Sequence, residues 1–137
     1  MKPANFALLA IAALSLNAAA DEPAAGPQPV RSVLEHHDQS GVAGKEIVIG
    51  TATLPMGTAI PFHTHPGDES GYALKGPLIL KMKGQPDRTL KTGESFFIPR
   101  GTVHTVAAPA AGDGAMAVST WIVDKGQPLA TTAPASP

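Results

Sequence analysis

Apolar and polar positions alternate with a period of two in several short runs of the chain. Ile47, Ile49 and Thr51 alternate with Val48, Gly50 and Ala52 in a β-branched run that starts at Glu46. Leu78, Leu80 and Met82 alternate with Ile79, Lys81 and Lys83, which sends both lysines to solvent. Met116, Val118, Thr120 and Ile122 mark one face of a last long strand, with Trp121 on the other. Side chains of a strand point alternately to its two faces, so this period predicts half-buried strands. Turn signals separate the runs: Pro55-Met56-Gly57, Pro66-Gly67-Asp68, Gly76-Pro77, Lys83-Gly84-Gln85-Pro86, Lys91-Thr92-Gly93 and Pro99-Arg100-Gly101. Strands at intervals of roughly 8–12 residues with turns between them predict an all-β sandwich or barrel. Closure into a barrel would also remove exposed sheet edges. Only Val33 to Ser40 gives a weak helix or turn signal.

Both ends depart from this pattern. Lys2, the apolar run Phe6 to Leu16 and Ala18-Ala19-Ala20 before Asp21 form a short basic start, an apolar core and a small-residue cleavage site. That order predicts a secretory signal peptide over 1–20, too short to span the ~20 residues a bilayer requires. No twin arginine and no cysteine for lipid attachment accompany it, so the expected location is secreted, in the periplasm, with export of the unfolded chain. Pro- and Gly-containing segments 21–29 and 126–137 lack apolar periodicity and are expected to be a disordered linker and a disordered tail. One folded domain, 30–125, remains.

Composition narrows the function classes. Among 137 residues, 14 Gly and 14 Pro are too many for a helical bundle. A net charge of −1 offers no electrostatic footprint for nucleic acid or an anionic membrane. The absence of cysteine excludes disulfides. No Ser-His-Asp order or phosphate-binding loop is present.

The histidines carry the chemistry. His63 and His65 stand two apart, so on a strand both imidazoles leave one face. Glu69 follows past the Pro66-Gly67-Asp68 turn, which can swing its carboxylate toward the same point, and His104 lies behind the Pro99-Arg100-Gly101 turn. Imidazoles with one carboxylate suit a divalent transition metal (Mn, Fe, Co, Cu, Ni or Zn) and leave positions open for water or substrate, as catalytic sites do. His36 and His37 read instead as solvated surface residues.

These residues resemble a known family. Gly57–Gly76, GTAIPFHTHPGDESGYALKG, matches the first cupin motif, G-x5-H-x-H-x3-E-x6-G, at Gly57, His63, His65, Glu69 and Gly76. Gly93–His104, GESFFIPRGTVH, matches the second, G-x5-P-x-G-x2-H, at Gly93, Pro99, Gly101 and His104. The Asn that often follows that histidine by four residues is Ala108 here, a departure that bears on loop packing more than on metal binding.

The resemblance implies a single jelly-roll β-barrel with one metal inside, held by His63, His65, Glu69 and His104. It also implies a homodimer formed by strand sharing. Phe62, Phe96 or Phe97, Leu78, Leu80, Met82 and Val118 are candidates for the barrel interior, with Tyr72 and Arg100 near its mouth. Glu69 and Tyr72 are the candidate catalytic residues.

Two enzyme chemistries fit such a site. One is oxygenase-type, on an enolic or phenolic small molecule with O₂, toward which resemblance to quercetinase-like small cupins tilts. The other is a Lewis-acid isomerase or lyase reaction. The alternative is a non-catalytic periplasmic module that binds or senses a small ligand, since fold alone does not decide function.

Overall fold

The computed structural model describes residues 26–134; the expected signal peptide lies outside them. The described chain forms ten strands and no helix: β1 (Val30–Asp38), β2 (Lys45–Leu54), β3 (His63–Thr64), β4 (Gly67–Lys75), β5 (Leu78–Met82), β6 (Arg88–Leu90), β7 (Ser95–Ile98), β8 (His104–Ala107), β9 (Ala115–Asp124) and β10 (Thr131–Thr132). They pair into two five-stranded sheets, β1-β2-β9-β4-β7 and β10-β3-β8-β5-β6. Every pairing is antiparallel. The two sheets face one another as the layers of an all-β jelly roll, with the core between them.

Alternation decides what each strand contributes. In β5, Leu78, Leu80 and Met82 are buried while Lys81 is exposed, as the period of two predicts. In β9 the inner face is Ala115, Ala117, Ser119, Trp121 and Val123. The expectation that Val118 lines the interior is therefore corrected: Val118, Thr120 and Ile122 lie on the outer face. The physical reason is space. Ala117 of β9 stands opposite Ala73 of β4 and Ser119 opposite Gly71, and residues this small leave room on the inner face for the Phe96 ring over Gly71. Phe96 points inward and Phe97 outward at 54% exposure, which settles the choice left open between them. Phe62 is half-buried and does not line the central cavity.

Two further expectations are corrected. Val33 to Asp38 belongs to β1, because pairing with β2 satisfies backbone groups that a lone weak helix would leave to water. The C-terminal segment is ordered against the barrel as far as 134: Thr131 and Thr132 pair with Thr64 and His63, and the Ala133 N–H donates to the Phe62 carbonyl at 2.8 Å. These bonds are made by the backbone, so the segment's lack of apolar periodicity did not announce them.

Candidate metal centre

Each expected ligand reaches the barrel interior by a separate backbone device. His63 on β3 stands directly opposite His104 on β8, so both imidazoles share the inner face of one sheet. His65 follows β3 immediately, and the Gly101 N–H at the turn before β8 donates to the His65 carbonyl at 3.1 Å. That turn is closed by the Thr102 N–H on the Pro99 carbonyl, with Gly101 at φ 70°, a left-handed conformation suited to glycine. Glu69 comes from the opposite sheet, on the inner face of β4 beside Trp121 of β9. The site thus bridges the two layers.

The four side chains are buried and converge. Ligand nitrogens of His63, His65 and His104 lie within 4.8 Å of one another. Glu69 Oε2 stands 2.9 Å from His65 Nε2 and 3.3 Å from His104 Nε2. The Nδ1–H of each imidazole donates to a backbone carbonyl: His63 to Pro61 at 2.8 Å, His104 to Thr102 at 2.8 Å and His65 to Leu129 at 2.6 Å. All three Nε2 lone pairs are left facing inward, the tautomer and orientation that metal-ligating imidazoles adopt. His65 Nε2 and Glu69 Oε2 are buried yet have no well-aligned hydrogen-bond partner. Unpartnered buried polar atoms are costly, and a shared cation is what these would satisfy. On that observation the residues fit a divalent transition metal.

The electrostatics agree. Burial, reinforced by His104, pushes the His63 pKa down to about 4, so its imidazole is neutral near pH 7. Burial opposes ionisation of Glu69, but His104 and His65 beside it outweigh that and hold the carboxyl well below its usual range. The site presents the uncharged His63 imidazole and one carboxylate.

Above the ligands lies a cavity of about 320 Å³, at the small end for small-molecule sites. Phe96, Ile60, Val106 and Trp121 form apolar walls, and Arg31, Leu129 and Ala130 also line it. Two glycines admit the rings: any Cβ at Gly71 would collide with Phe96, and one at Gly50 would come within 3.1 Å of Trp121 Cζ3. Trp121, Ser119, Arg31 and Leu129 were missed by the sequence reading. Choosing the Ala115/Ala117 face of the last strand as the inner one would have found the first two.

Tyr72 and Arg100 are corrected. Tyr72 lies on the outer face of β4 at 45% exposure, three residues from Glu69 and therefore on the opposite side of the strand. Arg100 pairs with Asp124 and donates to the Pro66 carbonyl at 2.7 Å, a clamp outside the barrel rather than a residue of the mouth. His36 and His37 are on exposed β1, against Glu46 and Glu35, as solvated surface residues should be.

Known proteins share this fold. A family profile described as a cupin domain matches residues 50–123, just over half of the chain. The dimethylsulfoniopropionate lyase DddQ of Ruegeria pomeroyi is 39% identical over 51 residues, a match covering 37% of this chain and 25% of that protein. The chain thus spans about a quarter of the curated relative it matches. The crystal structure of the same lyase superposes with a TM-score of 0.64 at 23% identity, over 80% of this chain and 54% of that one. Recombinant oxalate oxidase in complex with glycolate gives 0.62 at 21% identity, over 80% and 57%. At these identities the solved structures share the barrel and nothing finer. With both motifs folded around one buried His/Glu cluster and the family profile spanning the strands that carry it, the chain belongs to the cupin family.

Proposed function

We propose that this protein is a metal-dependent lyase or isomerase acting on a small organic anion. The observation that carries the reading is the convergence of three Nε2 atoms and Glu69 Oε2, two of these four atoms unpartnered, on the floor of a small apolar cavity. His63, His65, His104 and Glu69 would hold the metal. When bound, a divalent transition metal supplies Lewis acidity toward a carboxylate or carbonyl oxygen. The identity to a dimethylsulfoniopropionate lyase favours this chemistry over the oxygenase type.

The chain's own residues do the rest. Phe96, Ile60 and Val106 exclude water around the reacting carbon. Among the described residues Arg31 is the one cation lining the cavity, and its pairing register opposite Ala52 turns it to the inner side of the sheet. It would pair with a carboxylate of the substrate. Among the described residues Glu69 is the one carboxylate lining the cavity, and it is ionised at neutral pH. Released from the metal, it would take the proton from carbon as the substrate's double bond forms and its leaving group departs with the bonding pair.

The test is turnover of a panel of small carboxylates, dimethylsulfoniopropionate included, by metal-loaded protein with and without O₂. Oxygen-independent product formation supports the reading. A strict requirement for O₂ would replace it with the oxygenase chemistry, and tight binding without product would leave a binding module. Arg31→Ala should raise KM about tenfold with kcat little changed, the signature of lost uniform binding.

Export to the periplasm and homodimerisation belong to the same proposal. The first rests on the pattern of residues 1–20, and the second is supported by Val30, Val33 and Leu34, exposed on the edge strand β1. Light scattering on the purified protein reads the oligomeric state directly.

A further inference from the structure

We propose that the C-terminal segment Leu129–Ala133 is a working part of the metal centre, a strap that positions His65. The proposal rests on the metal reading above and concerns residues beyond the 50–123 stretch matched by the family profile. A ligating imidazole needs a partner for its second ring N–H, which sets the tautomer and the direction of the ring. For His63 and His104 that partner is the carbonyl two residues earlier, supplied by the same stretch of backbone. For His65 it is Leu129, 64 residues away in sequence. One of three imidazoles is therefore aimed by the tail.

The tail is held to do so. Thr131 and Thr132 pair with Thr64 and His63, and the Ala133 N–H donates to the Phe62 carbonyl at 2.8 Å. β3 needs this support, because its pairing with β8 is the single register pair His63–His104. With the strap in place, β3 is flanked on both sides. Leu129 and Ala130 also line the cavity, so the strap closes one wall of the pocket whose floor it helps aim. Without it, the buried His65 Nδ1–H would lose its partner and the ring its fixed direction.

Ala133→Pro in the full chain tests this. Proline deletes the N–H that reaches the Phe62 carbonyl, while its fixed φ and the extended conformation it imposes on Thr132 suit a strand. Ala133→Gly keeps the N–H and serves as the control. Cobalt(II) affinity, the visible absorption of the cobalt-loaded protein and thermal unfolding of the metal-free protein would be measured on each. The expected result is cobalt binding weakened several-fold in Ala133→Pro, less than the roughly 10–100-fold cost of losing an outer partner outright, because the Leu129 carbonyl is loosened rather than removed. Its saturated cobalt spectrum should also shift, with wild-type behaviour in Ala133→Gly and metal-free unfolding unchanged. Equal affinity and an identical spectrum in the proline variant would overturn the strap. Should Ala133→Pro not fold, Thr131→Gly/Thr132→Gly carries the same comparison, with a loss of a few-fold expected and none overturning the proposal. A wild-type chain that takes up no cobalt would overturn the metal reading and the strap with it.

Discussion

The same two sheets enclose two different interiors. Toward one end Leu54, Ala73, Leu78, Leu90 and Ala115 fill the space between the layers with side chains at 2% exposure or less. Toward the other, the inner positions of β4 and β9 are Glu69 and Trp121, which with His104 of β8 surround an open cavity. The alternation of inner and outer side chains along β4 and β9 runs through both ends. What differs is whether buried atoms are satisfied by contact or left waiting for a partner. The closed end is built for stability and the open end holds polar groups at a cost to it, the expected relation between a scaffold and a site.

The largest effect that would sharpen this contrast belongs to the closed end. Leu78→Ala should cost about 3 kcal/mol of unfolding free energy, the transfer and cavity terms of a fully buried leucine, read from urea denaturation. Metal affinity should be unchanged; a comparable loss of metal binding would show the two ends are not separable.

Acid should find the open end first. The unfolded chain binds a proton at His63 near pH 6.5, whereas the folded chain resists until about 4. Between those values the unfolded state binds more protons, so stability is full above 6.5 and falls as the pH drops. For the metal-free protein the loss is roughly 2–3 kcal/mol by pH 4, and a titration of thermal unfolding measures it. His63→Gln should flatten that slope while Leu78→Ala leaves it intact; an unaltered slope in His63→Gln would refute the assignment.

Gly71→Ala works at the boundary. Its Cβ collides with the Phe96 ring, which has the cavity to move into. The expected cost is about 1–2 kcal/mol of overpacking, with a smaller pocket and weaker binding of small carboxylates by calorimetry. Undiminished binding would mean that Phe96 does not shape the pocket.

The smallest effect concerns Trp121, whose indole N–H is buried without a partner. Trp121→Phe removes an unsatisfied donor together with part of a ring, opposing terms that should leave stability changed by less than about 1 kcal/mol. A loss above about 3 kcal/mol would place Trp121 with the closed end after all.

Sequence alone determined a good deal here. Period-two runs such as Leu78/Leu80/Met82, bounded by Gly- and Pro-containing turns, dictate strands. The match of His63, His65, Glu69 and His104 to the two cupin motifs also foretold a cluster that the fold brings together, although Glu69 and His104 reach it from other strands. Other features had no local signature. Both faces of the last strand are apolar enough to be inner, and the pairing of Ser119 and Ala117 with Gly71 and Ala73, which leaves room for the Phe96 ring, selects the Ala117/Trp121 face. Tyr72 lost its place at the mouth because its distance from Glu69 along β4 is an odd number of residues. The partner of His65 lies 64 residues away in a tail of unremarkable composition. A backbone carbonyl carries no residue-type signal, so its role appears only once tertiary pairing has brought it to the ring.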